Sequence, residues 1–289
     1  MEKIVSPIKE IRKNEIKGNK NKKFDLKYKV DNENIKISLF GKNFVKRNKD
    51  KCYLIINNNN DCELKHEYKF PKKGEQTVTL VITNDNINFK EMFSNFSLWH
   101  LNGKVSLDYN PYLIDISSFE NLDVSECKDL TGMFGGCSNI KNFECLKNWN
   151  VSKCENFEGI FAYCNFTNLN FLSSWDFSMA KNLSVMFFSC EKLNNVEGCK
   201  NWNVQNVKYF EDMFNGCKEL IDVNALENWN MSNAKRINGM FCHCKNLENM
   251  DALYKWKLNY WTYRGNMICD CKKLINIPTN FQGSDCLIF

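Results

Sequence analysis

The chain reads as an α/β solenoid, a stack of rungs that each carry one short helix and one short parallel strand, preceded by a small antiparallel β domain. Three observations predict this. A unit of about 27 residues recurs six times from Leu122 onward, the apolar period changes within each unit, and residues 24–84 alternate with the two-residue rhythm of strands.

The repeat register fixes the first element. Its Trp position falls at Leu122, Trp149, Trp175, Trp202, Trp229 and Trp256, and eleven residues later come Met133-Phe134, Ile160-Phe161, Met186-Phe187, Met213-Phe214, Met240-Phe241 and Met267-Ile268. Four positions beyond each Met or Ile stands Cys137, Cys164, Cys190, Cys217, Cys244 or Cys271. A period of this length implies units that cannot bury their own apolar face and must stack on their neighbours. Met92-Phe93 echoes the pattern with Phe96 at the Cys position, so a degenerate unit is expected before the first regular one, with an insertion around residues 98–111.

Within a unit, Val207, Phe210, Met213, Phe214 and Cys217 lie at i, i+3, i+6, i+7 and i+10, one stripe of a short helix. Ser125, Ser152, Ser178 and Ser232 precede that stripe as candidate N-caps, and Ser152 with Glu155 fits a capping box. Gly136 and Gly216 sit at the expected helix end. After the Cys, the pairs Ile140/Phe143, Leu193/Val196, Leu220/Val223, Leu247/Met250 and Leu274/Ile277 suggest the strand.

The strings Asn228-Trp229-Asn230-Met231-Ser232-Asn233-Ala234 and Asn238-Gly239-Met240-Phe241-Cys242-His243-Cys244 resemble the BspA-type leucine-rich repeat, a 26-residue bacterial surface-protein repeat also found in protists. The resemblance covers roughly residues 110–277 and implies a leucine-rich-repeat-like fold. It also implies a surface or adhesin-like role without assigning any residue.

The expected organisation is a disordered basic segment at 1–23, a small β capping domain at 24–84, and the repeat solenoid at 85–289 with about six regular repeats from 122. Strands are expected at 24–30, 35–39, 53–56, 67–70 and 77–82, with a turn at 57–61. Residues 1–80 carry a net charge of +9 and the remainder −4, so the two regions present opposite signs to solvent.

The 15 cysteines fit a core better than a disulfide framework. Six fill the recurring column, and Cys127, Cys154 and Cys199 stand where other units carry Ala, Val or Leu, the habit of free Cys as a small hydrophobe. Vertical neighbours come near bonding distance, but a reducing compartment would keep them as thiols. Cys242-His243-Cys244 stacked over Cys269-Asp270-Cys271 is the sharpest metal candidate. Its C-x-C spacing is tighter than usual for zinc, and Cys244 and Cys271 belong to the core column, so neither metal nor cofactor is expected.

Only three His are present, with no Gly-rich phosphate loop and no nucleophile elbow, so the chain is expected not to be an enzyme. No run of 18 apolar residues exists, and the N-terminus is charged without an apolar stretch. The expected location is cytoplasmic or nuclear, with the cell surface as the alternative that the resemblance implies. Cys286-Leu287-Ile288-Phe289 has the spacing of a prenylation box but serves equally as a last strand.

Two polar columns are expected on one face of the strands. The first reads Asn142, Asn168, Asn195, Asp222, Asn249 and Asn276, and the second, two residues on, Glu144, Asn170, Glu197, Asn224 and Asp251. They are read either as a structural ladder of stacked amides or as a recognition strip for a basic or amide-rich protein. The leading functional expectation is a non-enzymatic protein–protein interaction module. The rival is nucleic-acid or anionic-surface binding through Lys20, Lys22, Lys23, Lys42, Lys46, Arg47, Lys49 and Lys51.

Overall fold

The computed structural model describes residues 21–99 and 104–281. The alternating N-terminal segments form β1 (Lys22–Val30), β2 (Ile35–Ser38), β3 (Cys52–Ile56), β4 (Asn60–Glu63), β5 (Glu67–Phe70) and β6 (Gly74–Ile82). One α-helix, α1 (Lys42–Asn48), lies between β2 and β3; its seven residues were too few for the sequence pattern to reveal. Next come β7 (Asn95–Trp99) and β8 (Lys104–Asp108), an antiparallel hairpin in the expected insertion, and β9 (Leu113–Asp115). Residues 1–20 of the segment expected to be disordered lie outside the described residues, whereas Lys22 and Lys23 begin β1.

The main sheet has the order β4-β3-β6-β1-β9, and every pairing in it is antiparallel. Phe24, Leu26, Tyr28 and Val30 turn one face of β1 inward, as strand alternation requires. Asn57 and Asn58 adopt φ of 49° and 63° in the β3–β4 turn, a left-handed conformation that Asn tolerates better than most residues.

The expected α/β solenoid of helix-plus-strand rungs is corrected by the structure. Among the described residues no regular repeat contains an α-helix or a full strand; the repeats are built of turns, lone parallel bridges and short 3-10 turns such as Asn170–Leu172, Glu197–Cys199 and Asn224–Leu226. The reason is visible in the backbone. Asp212 and Gly216 both adopt left-handed φ, of 53° and 77°, and equivalent pairs occur at Gly132/Gly136, Gly159/Tyr163, Val185/Ser189, Gly239/His243 and Asn266/Asp270. Two left-handed residues four apart cannot lie in one right-handed helix. Local bonds instead close over three residues, as in Met213 N–H to Phe210 C=O and Cys217 N–H to Phe214 C=O. A succession of three-residue turns buries the same stripe that a helix would, so the apolar period alone misled.

The amides between these turns leave the repeat altogether. Phe210, Asp212, Phe214 and Gly216 donate to the carbonyls of Arg236, Asn238, Met240 and Cys242 in the next repeat, and the same four-bond pattern joins the repeats on either side. The serines expected as helix caps also serve differently. The backbone N–H groups of Ser125, Ser152, Ser178 and Ser232 donate to the side-chain oxygens of Asp123, Asn150, Asp176 and Asn230, closing Asx turns.

Side chains stack in register with this ladder. Phe93, Phe134, Phe161, Phe187, Phe214 and Phe241 form one column with centroids 5.4–6.1 Å apart. Each of Trp149, Trp175, Trp202, Trp229 and Trp256 donates its indole N–H to a main-chain carbonyl of the preceding layer at 2.8–3.2 Å. Thus the amphipathic indole is buried with its polar atom satisfied.

One continuous core runs from Phe24 to Phe281 and joins the sheet to the repeats. The expected degenerate unit provides the junction, since Glu91 and Phe93 donate to Thr131 and Met133 C=O. Gly41 N–H donates to Met92 C=O, and a Cβ at Gly41 would sit 2.1 Å from the Ser94 carbonyl oxygen and 2.2 Å from that of Glu91. Gly41 is therefore required by close backbone approach, not by an unusual φ.

Two outcomes test this packing. Phe214, fully buried between Phe187 and Phe241, should cost about 3–5 kcal/mol on change to Ala in denaturant unfolding; a loss below ~1 kcal/mol would contradict the stacked column. Gly41→Ala should cost roughly 1–3 kcal/mol by overpacking, and an unchanged unfolding midpoint would show that the two backbones are not locked together.

Candidate functional site

The polar strip sits beside the 3-10 turns, and its two columns do different things. In the first column the side-chain oxygens of Asn142, Asn168, Asn195, Asp222 and Asn249 accept the backbone N–H of residues 144, 170, 197, 224 and 251 at 2.7–3.1 Å. These are Asx turns that open the 3-10 turns, so the oxygen of each bonds within its own repeat rather than building a ladder of stacked amides. Lone parallel bridges join Asn168 to Asn195 and Asp222 to Asn249.

The second column supplies the turn residues themselves. Glu144, Asn170, Glu197, Asn224 and Asp251 are all exposed. Their amides are engaged, while the carboxylates of Glu144, Glu197 and Asp251 face solvent. Beside Asn224 and Asp251 lies a shallow groove of about 380 Å³, lined also by Glu227, Ala252, Tyr254 and Lys255. Tyr254 is 67% exposed there, and Glu227 pairs with Lys255.

The basic set is less concentrated than its sequence suggests. Arg47 donates to Glu91 and to the Lys90 carbonyl, Lys22 pairs with Asp85 at 3.0 Å, and Lys51 donates to Asn86 C=O. Their charge helps tie the sheet to the segment that follows it. Lys20 lies outside the described residues.

The recurring cysteines are buried thiols. Cys164, Cys190, Cys217, Cys244 and Cys271 donate to the carbonyl of Phe134, Phe161, Phe187, Phe214 and Phe241 in the preceding layer at 3.0–3.3 Å. Burial pushes Cys190, Cys217 and Cys244 well above the usual thiol range and Cys154 up to about 12. They stay protonated near neutral pH, without the thiolate that nucleophilic or redox chemistry requires. One vertical pair departs from the expectation of free thiols: Cys242 and Cys269 form a disulfide with Cα atoms 4.6 Å apart. Neither belongs to the core column, and Cys269 is only half-buried.

Beside that bond, His243 Nδ1 lies 3.2 Å from Asp270 Oδ2, and Lys245 and Lys272 also pair with Asp270. The hydrogen bond from His243, with the two lysines, holds the Asp270 carboxyl below its ordinary range. The four-sulfur grouping considered from sequence is not assembled, because Cys244 and Cys271 point into the core and bond to Phe carbonyls. Among the described residues no helix is long and apolar enough to cross a membrane, and Cys286 lies outside them.

The division of labour in the strip can be measured by single substitutions. Asn195→Ala should lower unfolding free energy by about 1 kcal/mol through the lost turn bond, whereas Glu197→Ala should stay within ~0.5 kcal/mol. Equal costs at the two positions would refute the distinction between a structural and a solvent-facing column.

No curated protein and no solved structure matches the chain. A family model described as "Mycoplasma protein of unknown function, DUF285" matches residues 88–220 and 165–281, spanning the stacked repeats and the degenerate unit before them. That finding corrects the resemblance to the BspA-type leucine-rich repeat. The repeats, with their turns and bridges in place of helices and strands, give no separate support for a leucine-rich repeat. On the match across its repeats, the chain belongs to the DUF285 family.

Proposed function

We propose that this chain is a non-enzymatic protein-interaction module whose contact surface is the exposed carboxylate column Glu144, Glu197 and Asp251 together with the groove at Asn224 and Tyr254. The observation that carries the reading is the groove. It places an exposed aromatic ring beside carboxylates on rigid turns, a combination suited to an aromatic anchor inside a polar rim. The partner chemistry that fits is a basic or amide-rich protein segment, which meets carboxylates two layers apart with Asn170 and Asn224 between them. Because the Asx oxygens already hold the turns, recognition falls to the second column.

The test is charge reversal on each candidate surface. Glu144, Glu197 and Asp251 changed together to Lys should abolish capture of a protein partner from native lysate, while the fold persists by circular dichroism, since exposed charges contribute little to stability. Lys46→Glu with Lys49→Glu should leave that capture intact. Binding that falls steeply with salt and is lost only after the two basic reversals would overturn the proposal in favour of an anionic ligand such as nucleic acid.

A further inference from the structure

Cys242 and Cys269 need an explanation that the core does not supply. All six recurring cysteines are buried and five of them bond across layers through the thiol, whereas these two occupy the position held by Gly135, Ala162, Phe188 and Asn215 in the other repeats. The backbone ladder brings them together. Gly216 donates to Cys242 C=O and His243 to Cys269 C=O, so the adjacent layers hold both sulfurs and the His243 ring at one place. The two sulfurs and one ring nitrogen of His243 all lie within 4.8 Å of one another.

We propose that, once the Cys242–Cys269 bond is reduced, Cys242, Cys269 and His243 form a zinc-binding site, with Asp270 orienting the imidazole. Two thiolates and one imidazole are a ligand set that zinc takes, with the fourth place left to water. The carboxylate of Asp270 at Nδ1 is the partner that metal-bound histidines usually keep, and it leaves Nε2 as the coordinating nitrogen. His243 is exposed, giving an ion a path to the site.

The chemistry balances in two steps. A dithiol reductant transfers two electrons to the disulfide, the S–S bond breaks, two protons are taken up to give two thiols, and the reductant becomes a disulfide. Zinc then displaces both thiol protons, forming two Zn–S bonds and one Zn–N bond. Oxidation of the pair removes two of the three ligands, so the disulfide and the metal exclude each other.

The experiment titrates the full chain with cobalt(II), a spectroscopic substitute for zinc, before and after reduction with a dithiol that is then removed without air. The reduced protein should bind one equivalent with a thiolate-to-cobalt charge-transfer band that zinc abolishes, and the oxidised protein should show no band. Cys242→Ser should lose the band, His243→Ala should weaken binding by more than tenfold, and Asp270→Asn by roughly tenfold. A full band in Cys242→Ser, undiminished affinity in His243→Ala, or no band in the reduced wild-type chain would each overturn the site. Comparing oxidised and reduced protein of the same sequence keeps the test decisive should a variant fail to fold.

Discussion

The repeats depend on one constraint: alternate main-chain amides must reach the next layer. Buried peptide groups need partners, and here four amides per layer find them on a neighbouring repeat instead of within a helix. Between those amides the chain must reverse its local hand, which sets left-handed residues at two places in each repeat. Gly fills several of these places freely. Where Val185, Tyr163 or Asp212 stands, the conformation costs about 1–2 kcal/mol per residue, and the stacked layers above and below must hold it.

Side chains return the bonds in the other direction. While those four amides donate forward, the Trp indoles and Cys thiols donate back to carbonyls of the preceding layer, joined by backward main-chain bonds such as Lys181 N–H to Glu155 C=O and Lys208 N–H to Lys181 C=O. That reciprocity explains the columns. A thiol is small enough for the crowded interior and still a donor, and the indole closes a second corner at the end of each 3-10 turn. Phe93 of the degenerate unit continues the Phe column past the first layer, and Phe119 carries the core on to Phe24 of the large antiparallel sheet.

With the columns so committed, the side chains that the stack does not use lie where repeats differ or point outward. Glu144, Glu197 and Asp251 hold their turns through main-chain atoms and keep their carboxylates free for solvent. Cys242, His243, Cys269 and Asp270 depart from the residues found at the same positions in earlier layers. Exposed ion pairs between layers, such as Lys181 with Glu155 and Lys218 with Glu191, lie outside that set and contribute little energy individually.

By itself the sequence determined the repeat, its register, the buried Trp, Phe and Cys columns and the alternating strands β1, β2, β3, β5 and β6, because periodic burial leaves its mark on residue type. It also marked both polar columns, while around Cys242 and Asp270 it expected neither a metal nor the disulfide that forms there. What only the tertiary structure decided is the path of the backbone between buried positions. A three-residue turn and a helix bury nearly the same stripe, and the difference lies in where each amide points, which requires the neighbouring layer to be present. The roles of Asn195 and Glu197, two residues apart and alike in polarity, separate for the same reason: the turn that claims one oxygen exists only in the folded stack.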